Sequence, residues 1–254
     1  MTVRYENRGP AAWITIDREE RRNALSPEVI DGLVEGLARA GQEGDVRAVV
    51  LTGSGDRAFC AGGDIGGFAT AGAAESAPAA VSRILDALWH HPKPTIARVN
   101  GRALGGGFGL VLACDLAVAA EGVELGTPEI DIGLWPHVIT AVIQRSVPRK
   151  VALELMLTAR RMPAEEALGW GIVNRVVPPA DLDAEVERLV EAIAAKSPAI
   201  VRLGKRSFVG AEDFPWGRAI EHLKGTLAEN LGAEDLVEGV SAFLEKRPPN
   251  WKSR

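Results

Sequence analysis

Apolar and polar positions alternate first with a strand period, then with a helix period. Val3 to Tyr5 and Ala12 to Ile16 flank Asn7-Arg8-Gly9-Pro10, which predicts a β-hairpin closed by a Gly-Pro turn. Ser26 and Pro27 provide an N-cap and a first helical residue. Val29, Ile30, Leu33, Val34 and Leu37 follow at helical spacing, so a helix is expected to about Ala40. Ala48 to Leu51 is wholly apolar and suits a buried strand.

Residues 66–80 are nearly all Gly, Ala, Ser and Thr and read as a mobile loop or a frayed helix. A helix over Val81 to His90 stops at Pro92 and Pro94, and Thr95 to Val99 forms the next strand. Leu104-Gly105-Gly106-Gly107 leads into an apolar helix over Phe108 to Ala113, and Asp115 to Ala119 is a further strand. Helices dominate from Ile139, with one strand near Val173 to Val177 and a break at Pro198. Strand–helix alternation followed by a helical tail predicts α/β architecture.

At 254 residues the chain suits one large domain, on a scale of roughly 150 residues per domain. It needs no disulfide or metal staple at this size. A net charge of −5 and 5% aromatic residues argue against nucleic-acid binding. No run reaches the roughly 20 apolar residues of a membrane helix, and the N-terminus carries no apolar signal core. These features make a cytoplasmic protein the expectation. Cys60 and Cys114 read as reduced core thiols. Four histidines and two cysteines show no metal-ligand spacing.

Two glycine clusters remain. Gly53-Ser54-Gly55-Asp56-Arg57-Ala58 fits a relaxed dinucleotide pattern but opens no helix, so a turn after a strand is the better reading. It also lacks the GxSxG spacing of a serine hydrolase. Gly105-Gly106-Gly107 reads either as a tight turn or as a place where backbone N–H groups meet a ligand at a helix start. Phe59-Cys60-Ala61-Gly62-Gly63-Asp64 is placed to supply a second exposed N–H. Two such donors would hold an oxygen that becomes an anion.

The order and spacing of several segments resemble the enoyl-CoA hydratase/isomerase (crotonase) family. They are Asn23-Ala24-Leu25, Phe59 to Asp64, Lys93-Pro94-Thr95-Ile96-Ala97, Val99-Asn100-Gly101, Leu104 to Gly107, Gly126-Thr127-Pro128-Glu129-Ile130 and Phe243-Leu244-Glu245-Lys246. The resemblance implies a spiral of ββα units over residues 1–195 and a helical trimerisation region over 196–254. It implies an acyl-CoA substrate with no separate cofactor, and a homotrimer or homohexamer with no nucleic-acid or membrane partner.

By the same resemblance, the backbone N–H groups of Ala61 and Gly106 would hold the thioester oxygen. Asn23, Ala24, Leu25, Ala61, Gly62, Asp64 and Ile65 would line coenzyme A, with Phe243 and Lys246 reaching it from a neighbouring subunit. Hydratases of the family use two glutamates. Here the first position is Gly109 and the second is Glu129, twenty residues later. One carboxylate suffices to move a proton from C2 of a 3-enoyl-CoA to C4, so isomerase chemistry with Glu129 as single base is expected ahead of water addition. A CoA-binding protein without catalysis is the alternative from another class. Trp135 and His137 are candidates for the acyl pocket, and Asp131 reads as a solvated loop acid.

Overall fold

The computed structural model describes residues 2–64 and 73–252, with the backbone alone for 73–77. Strands β1 (Val3–Arg8) and β2 (Ala11–Ile16) form the expected hairpin, with Val3 opposite Ile16 and Arg8 opposite Ala11. Every residue of β2 is buried, as is every residue of β3 (Ala48–Gly53). These two strands pair in parallel, and helix α1 (Pro27–Gln42) crosses between them. Both faces are therefore covered, which is why the two strands read as continuous apolar runs rather than as alternation. Ser26 occupies the N-cap position of α1, but its hydroxyl makes no capping bond to that helix.

Three successive segments then share one plan: a strand for each of two sheets, followed by a helical turn. They are β3 and β4 (Ala58–Cys60) with α2 (Ala73–Trp89); β5 (Thr95–Val99) and β6 (Arg102–Leu104) with α3 (Gly106–Ala113); and β7 (Leu116–Ala120) and β8 (Glu124–Gly126) with a 3₁₀ turn, Pro128–Ile132. The first strand of each pair joins a six-stranded sheet ordered β1-β2-β3-β5-β7-β10. The second joins a four-stranded sheet ordered β4-β6-β8-β9. Here β9 is Met162–Pro163 and β10 is Arg175–Val177. All pairings between β3, β5 and β7, and between β4, β6 and β8, are parallel. The chain thus spirals through repeated ββα turns, as expected.

Helix α2 begins at Ala73, earlier than the Val81 start predicted from the sequence. The Ala-rich composition of 73–80 is strongly helix-forming, and the buried Ile84, Leu85 and Leu88 anchor the helix to the core. Pro78 inside it is tolerated at the loss of one backbone hydrogen bond. Of the stretch 66–80, expected as a mobile loop or a frayed helix, residues 66–72 lie outside the described residues.

Helices α4 (Thr140–Ser146), α5 (Arg149–Thr158), α6 (Ala164–Gly169) and α7 (Leu182–Ala194) complete the core. Helices α8 (Pro198–Ala211), α9 (Trp216–Leu231) and α10 (Glu234–Glu245) form the tail. The Ser197 hydroxyl accepts the Ile200 N–H at 3.1 Å and caps α8; it also donates to the buried Asp235 carboxylate, which joins the starts of α8 and α10. The Lys205–Asp115 ion pair, at 2.6 Å, ties α8 to the segment before β7. Large apolar side chains nevertheless stay exposed on the tail, among them Trp216, Leu227, Leu231, Phe243 and Leu244. Among the described residues, no helix is long and apolar enough to cross a membrane.

Candidate active site

Three glycine-rich crossings bring the candidate residues to one place. The loop after β4 lies backbone-to-backbone against the loop after β6. A Cβ on Gly62 (φ +93°) would stand 3.0 Å from the Leu104 carbonyl and 3.3 Å from the Gly106 nitrogen. A Cβ on Gly107 would stand 2.1 Å from the Cys60 carbonyl oxygen. Only glycine lets α3 start this close to β4.

The strap over 22–25 is laced to the same loop. The Leu25 N–H donates to the Gly62 carbonyl at 2.8 Å, and the Asp64 N–H donates to the Leu25 carbonyl at 3.0 Å. The Ala61 N–H donates to the Arg22 carbonyl at 3.1 Å. That bond removes Ala61 as a donor to a ligand, contrary to the sequence expectation. Gly62 turns the chain with its positive φ immediately afterwards. The next N–H on that side, of Gly63, has no backbone partner among the described residues. Its nitrogen lies 3.8 Å from the position a Cβ of Gly106 would take. The Gly106 N–H is the first of α3, where no preceding turn offers it a carbonyl. Two N–H groups without a backbone partner among the described residues, of Gly63 and Gly106, therefore lie close together at the positive end of a helix. Nothing in the sequence distinguishes Ala61 from Gly63; only the strap's hydrogen bonds do.

Glu129 comes to the start of the same helix, against Gly105. The Gly105 N–H donates to the Gly126 carbonyl at 2.8 Å, which fixes the end of β8 beside the start of α3. The 3₁₀ turn after β8 then carries the Glu129 side chain back over Gly105. Gly105 has φ +55°, and a Cβ there would lie 2.7 Å from Glu129 Oε1. The second oxygen, Oε2, is buried with no hydrogen-bond partner among the described residues. Burial pushes this carboxyl above the usual glutamate range.

Gly109 lies one turn into α3, its N–H bonded to the Gly105 carbonyl at 3.0 Å. The space where its side chain would begin is filled. A Cβ there would meet Ile139 Cγ2 at 2.5 Å and Leu85 Cδ2 at 3.7 Å.

The remaining sequence candidates divide. Asn23 is 0% exposed and left-handed, with φ 55°. Its Oδ1 accepts from the Arg18 N–H (3.1 Å) and the Ser54 hydroxyl (3.2 Å), and its Nδ2 donates to the Ser54 (3.0 Å) and Ala58 (2.7 Å) carbonyls. With its hydrogen-bonding capacity spent inside the protein, the Asn23 side chain holds the strap in place. Ala24 and Leu25 are buried beside it, and the Ala24 carbonyl accepts from Arg18 Nη1 at 3.1 Å. Arg18 also pairs with Asp64 at 3.3 Å. Ile65 lies outside the described residues. Trp135 is half-buried against the core, while His137 and Asp131 are exposed. Phe243 is 82% exposed, and Lys246 caps the end of α10 in a left-handed conformation; both stand on the outer surface of the tail. Burial pushes the Cys60 and Cys114 thiols up to about 12; Cys60 is fully buried and Cys114 half-buried. Among the described residues, no group of three or more His, Cys, Asp or Glu is placed to hold a metal ion.

The enoyl-CoA hydratase/isomerase family model matches residues 6–254. The human mitochondrial enoyl-CoA hydratase domain-containing protein 3 is 34% identical over 242 residues, covering 94% of this chain and 79% of that protein. Carnitinyl-CoA dehydratase of Salmonella typhi is 32% identical over 253 residues, covering 97% and 96%. The crystal structure of an enoyl-CoA hydratase from Bacillus anthracis superposes with a TM-score of 0.95 at 32% identity, covering 100% of both chains. Match, fold and closely packed glycine loops agree: the chain belongs to the enoyl-CoA hydratase/isomerase family, with the crotonase fold.

Proposed function

We propose that this protein is an acyl-CoA enzyme that moves the double bond of a 3-enoyl-CoA to the 2-position, with Glu129 as its single base. The observation that carries this reading is the Glu129 carboxyl, one oxygen buried and unpartnered among the described residues, packed on Gly105 at the start of α3, next to Gly106. A thioester C2 proton becomes removable only when the developing enolate oxygen is stabilised. The two N–H groups would receive that oxygen, and the dipole of α3 would add to their effect. Glu129 would take the proton from C2 and return it to C4, as an acid–base group with a raised pKa is suited to do. Gly109 offers no second carboxyl to hold a water.

Gly62, Asp64, Ala24 and Leu25 would border the coenzyme A thioester through the strap and loop. Phe243 and Lys246 would reach it only from a neighbouring copy. The exposed apolar side chains of α8–α10 fit burial in a homotrimer or homohexamer.

A hydratase is the second reading, supported by the hydratase and dehydratase names of the relatives. The test is to incubate the protein separately with a 3-enoyl-CoA and a 2-enoyl-CoA and to identify the products by chromatography and mass. Conversion of the 3-enoyl to the 2-enoyl ester without change of mass is expected. A product heavier by one water, with no isomerisation, would favour the hydratase. Binding without conversion of either ester would leave a CoA-binding protein.

A further inference from the structure

We infer that Ile139 is a specificity-determining residue: its side chain occupies the place of a second carboxylate above Gly109 and so confines the site to one acid–base group. This rests on the reading of Glu129 as the base. Ile139 is 4% exposed and belongs to the main core, so it is no mobile flap. Its Cγ2 and Cβ stand 2.5 Å and 3.0 Å from where a Gly109 Cβ would lie. Those atoms sit close to the backbone and have little freedom to swing away. Leu85 closes the same space from α2, at 3.7 Å. A glutamate at position 109 therefore needs room that Ile139 denies it.

The consequence is chemical. Water addition to a 2-enoyl-CoA places the water oxygen on C3 and a proton on C2. That requires a group to orient and deprotonate the water as well as one to deliver the proton. With Ile139 and Leu85 packed on Gly109, the space above it is apolar and, among the described residues, holds no second such group. The pair Gly109–Ile139 thus acts as one determinant, and changing either half alone is insufficient.

Three variants test this: Gly109→Glu, Ile139→Ala and the double variant, each measured for Tm and for rates on 2-enoyl- and 3-enoyl-CoA. Gly109→Glu is expected to lower Tm by about 5 °C or more in the parent, and by less than half as much in the Ile139→Ala background. The double variant is expected to add water to 2-enoyl-CoA at least about 100-fold faster than the parent. An equal Tm loss in both backgrounds would overturn the inference. So would a folded double variant whose water addition is no faster than the parent's. Failure of the underlying reading shows separately, as parent isomerisation that survives Glu129→Gln, while the Tm comparison still judges the contact between 109 and 139.

Discussion

The Glu129 carboxyl rests on Gly105: an oxygen of the former lies 2.7 Å from where a side chain on the latter would begin. A glycine with φ +55° thus does two jobs, turning β6 into α3 and leaving the floor on which the base sits.

Replacing Glu129 by Gln should remove isomerisation by about 10³-fold or more, with little change in acyl-CoA affinity. Steady-state kinetics and CoA-ester binding check both parts.

The same residue sets a pH dependence. The base works only when ionised, and burial raises its pKa, so the acid limb of kcat/KM should fall above the usual glutamate value of about 4.3. The stability effect follows from the same shift. A carboxyl whose folded pKa is raised favours the folded state below its unfolded pKa and loses that contribution as pH rises through the folded pKa. Glu129→Gln should therefore have the higher Tm at pH 7. The gap should shrink as pH falls through the raised pKa and vanish below about 4.3. A Tm series over pH 4–8 measures it.

Gly106 and Gly107 should separate function from folding. A Cβ on Gly106 meets the flexible Leu25 Cδ1 at 3.0 Å and stands 3.8 Å from the Gly63 nitrogen. Gly106→Ala should fold and lose about 10²-fold in kcat, comparable to the loss of an oxyanion donor. A Cβ on Gly107 strikes the Cys60 carbonyl at 2.1 Å, so Gly107→Ala should cost about 3 kcal/mol and lower Tm whatever the substrate.

Asn23→Ala should destabilise by about 3 kcal/mol, because it leaves two carbonyls short of a donor and strains a left-handed residue. Asn23→Asp should be worse, since it turns a carboxylate oxygen toward the Ser54 or Ala58 carbonyl. Urea titrations read both.

The apolar tail makes an assembly prediction. Leu227 and Leu231 are four residues apart on α9 and 56% and 63% exposed. Replacing both by Glu should lower the mass seen in sedimentation, whereas the parent should sediment as an oligomer.

Much of the fold was legible because its signals are local. Gly9-Pro10 closed the hairpin, Pro27 opened α1, and Thr95–Val99 appeared as a strand with the predicted bounds. The start of α2 was not legible, because Pro78 argues against a helix that the alanines of 73–80 favour, and packing of Ile84 and Leu88 made the choice.

The family register was readable from residue order: the glycine clusters, Glu129, and a glycine rather than a glutamate at 109. Those are properties of residue type and spacing, and they survive without coordinates. The tertiary structure alone decided which N–H groups stand open and which side chains are structural. Ala61 and Gly63 look equivalent in the chain, yet the strap's Arg22 carbonyl engages one and leaves the other. Asn23 stands in the strap that the resemblance lays along coenzyme A, and only the structure shows that four hydrogen bonds turn its side chain inward. Ile139 gave no signal at all, because its meaning lies in contact with a residue thirty positions away. Hydrogen-bond pairing and steric exclusion belong to neighbours in space, which local sequence does not specify.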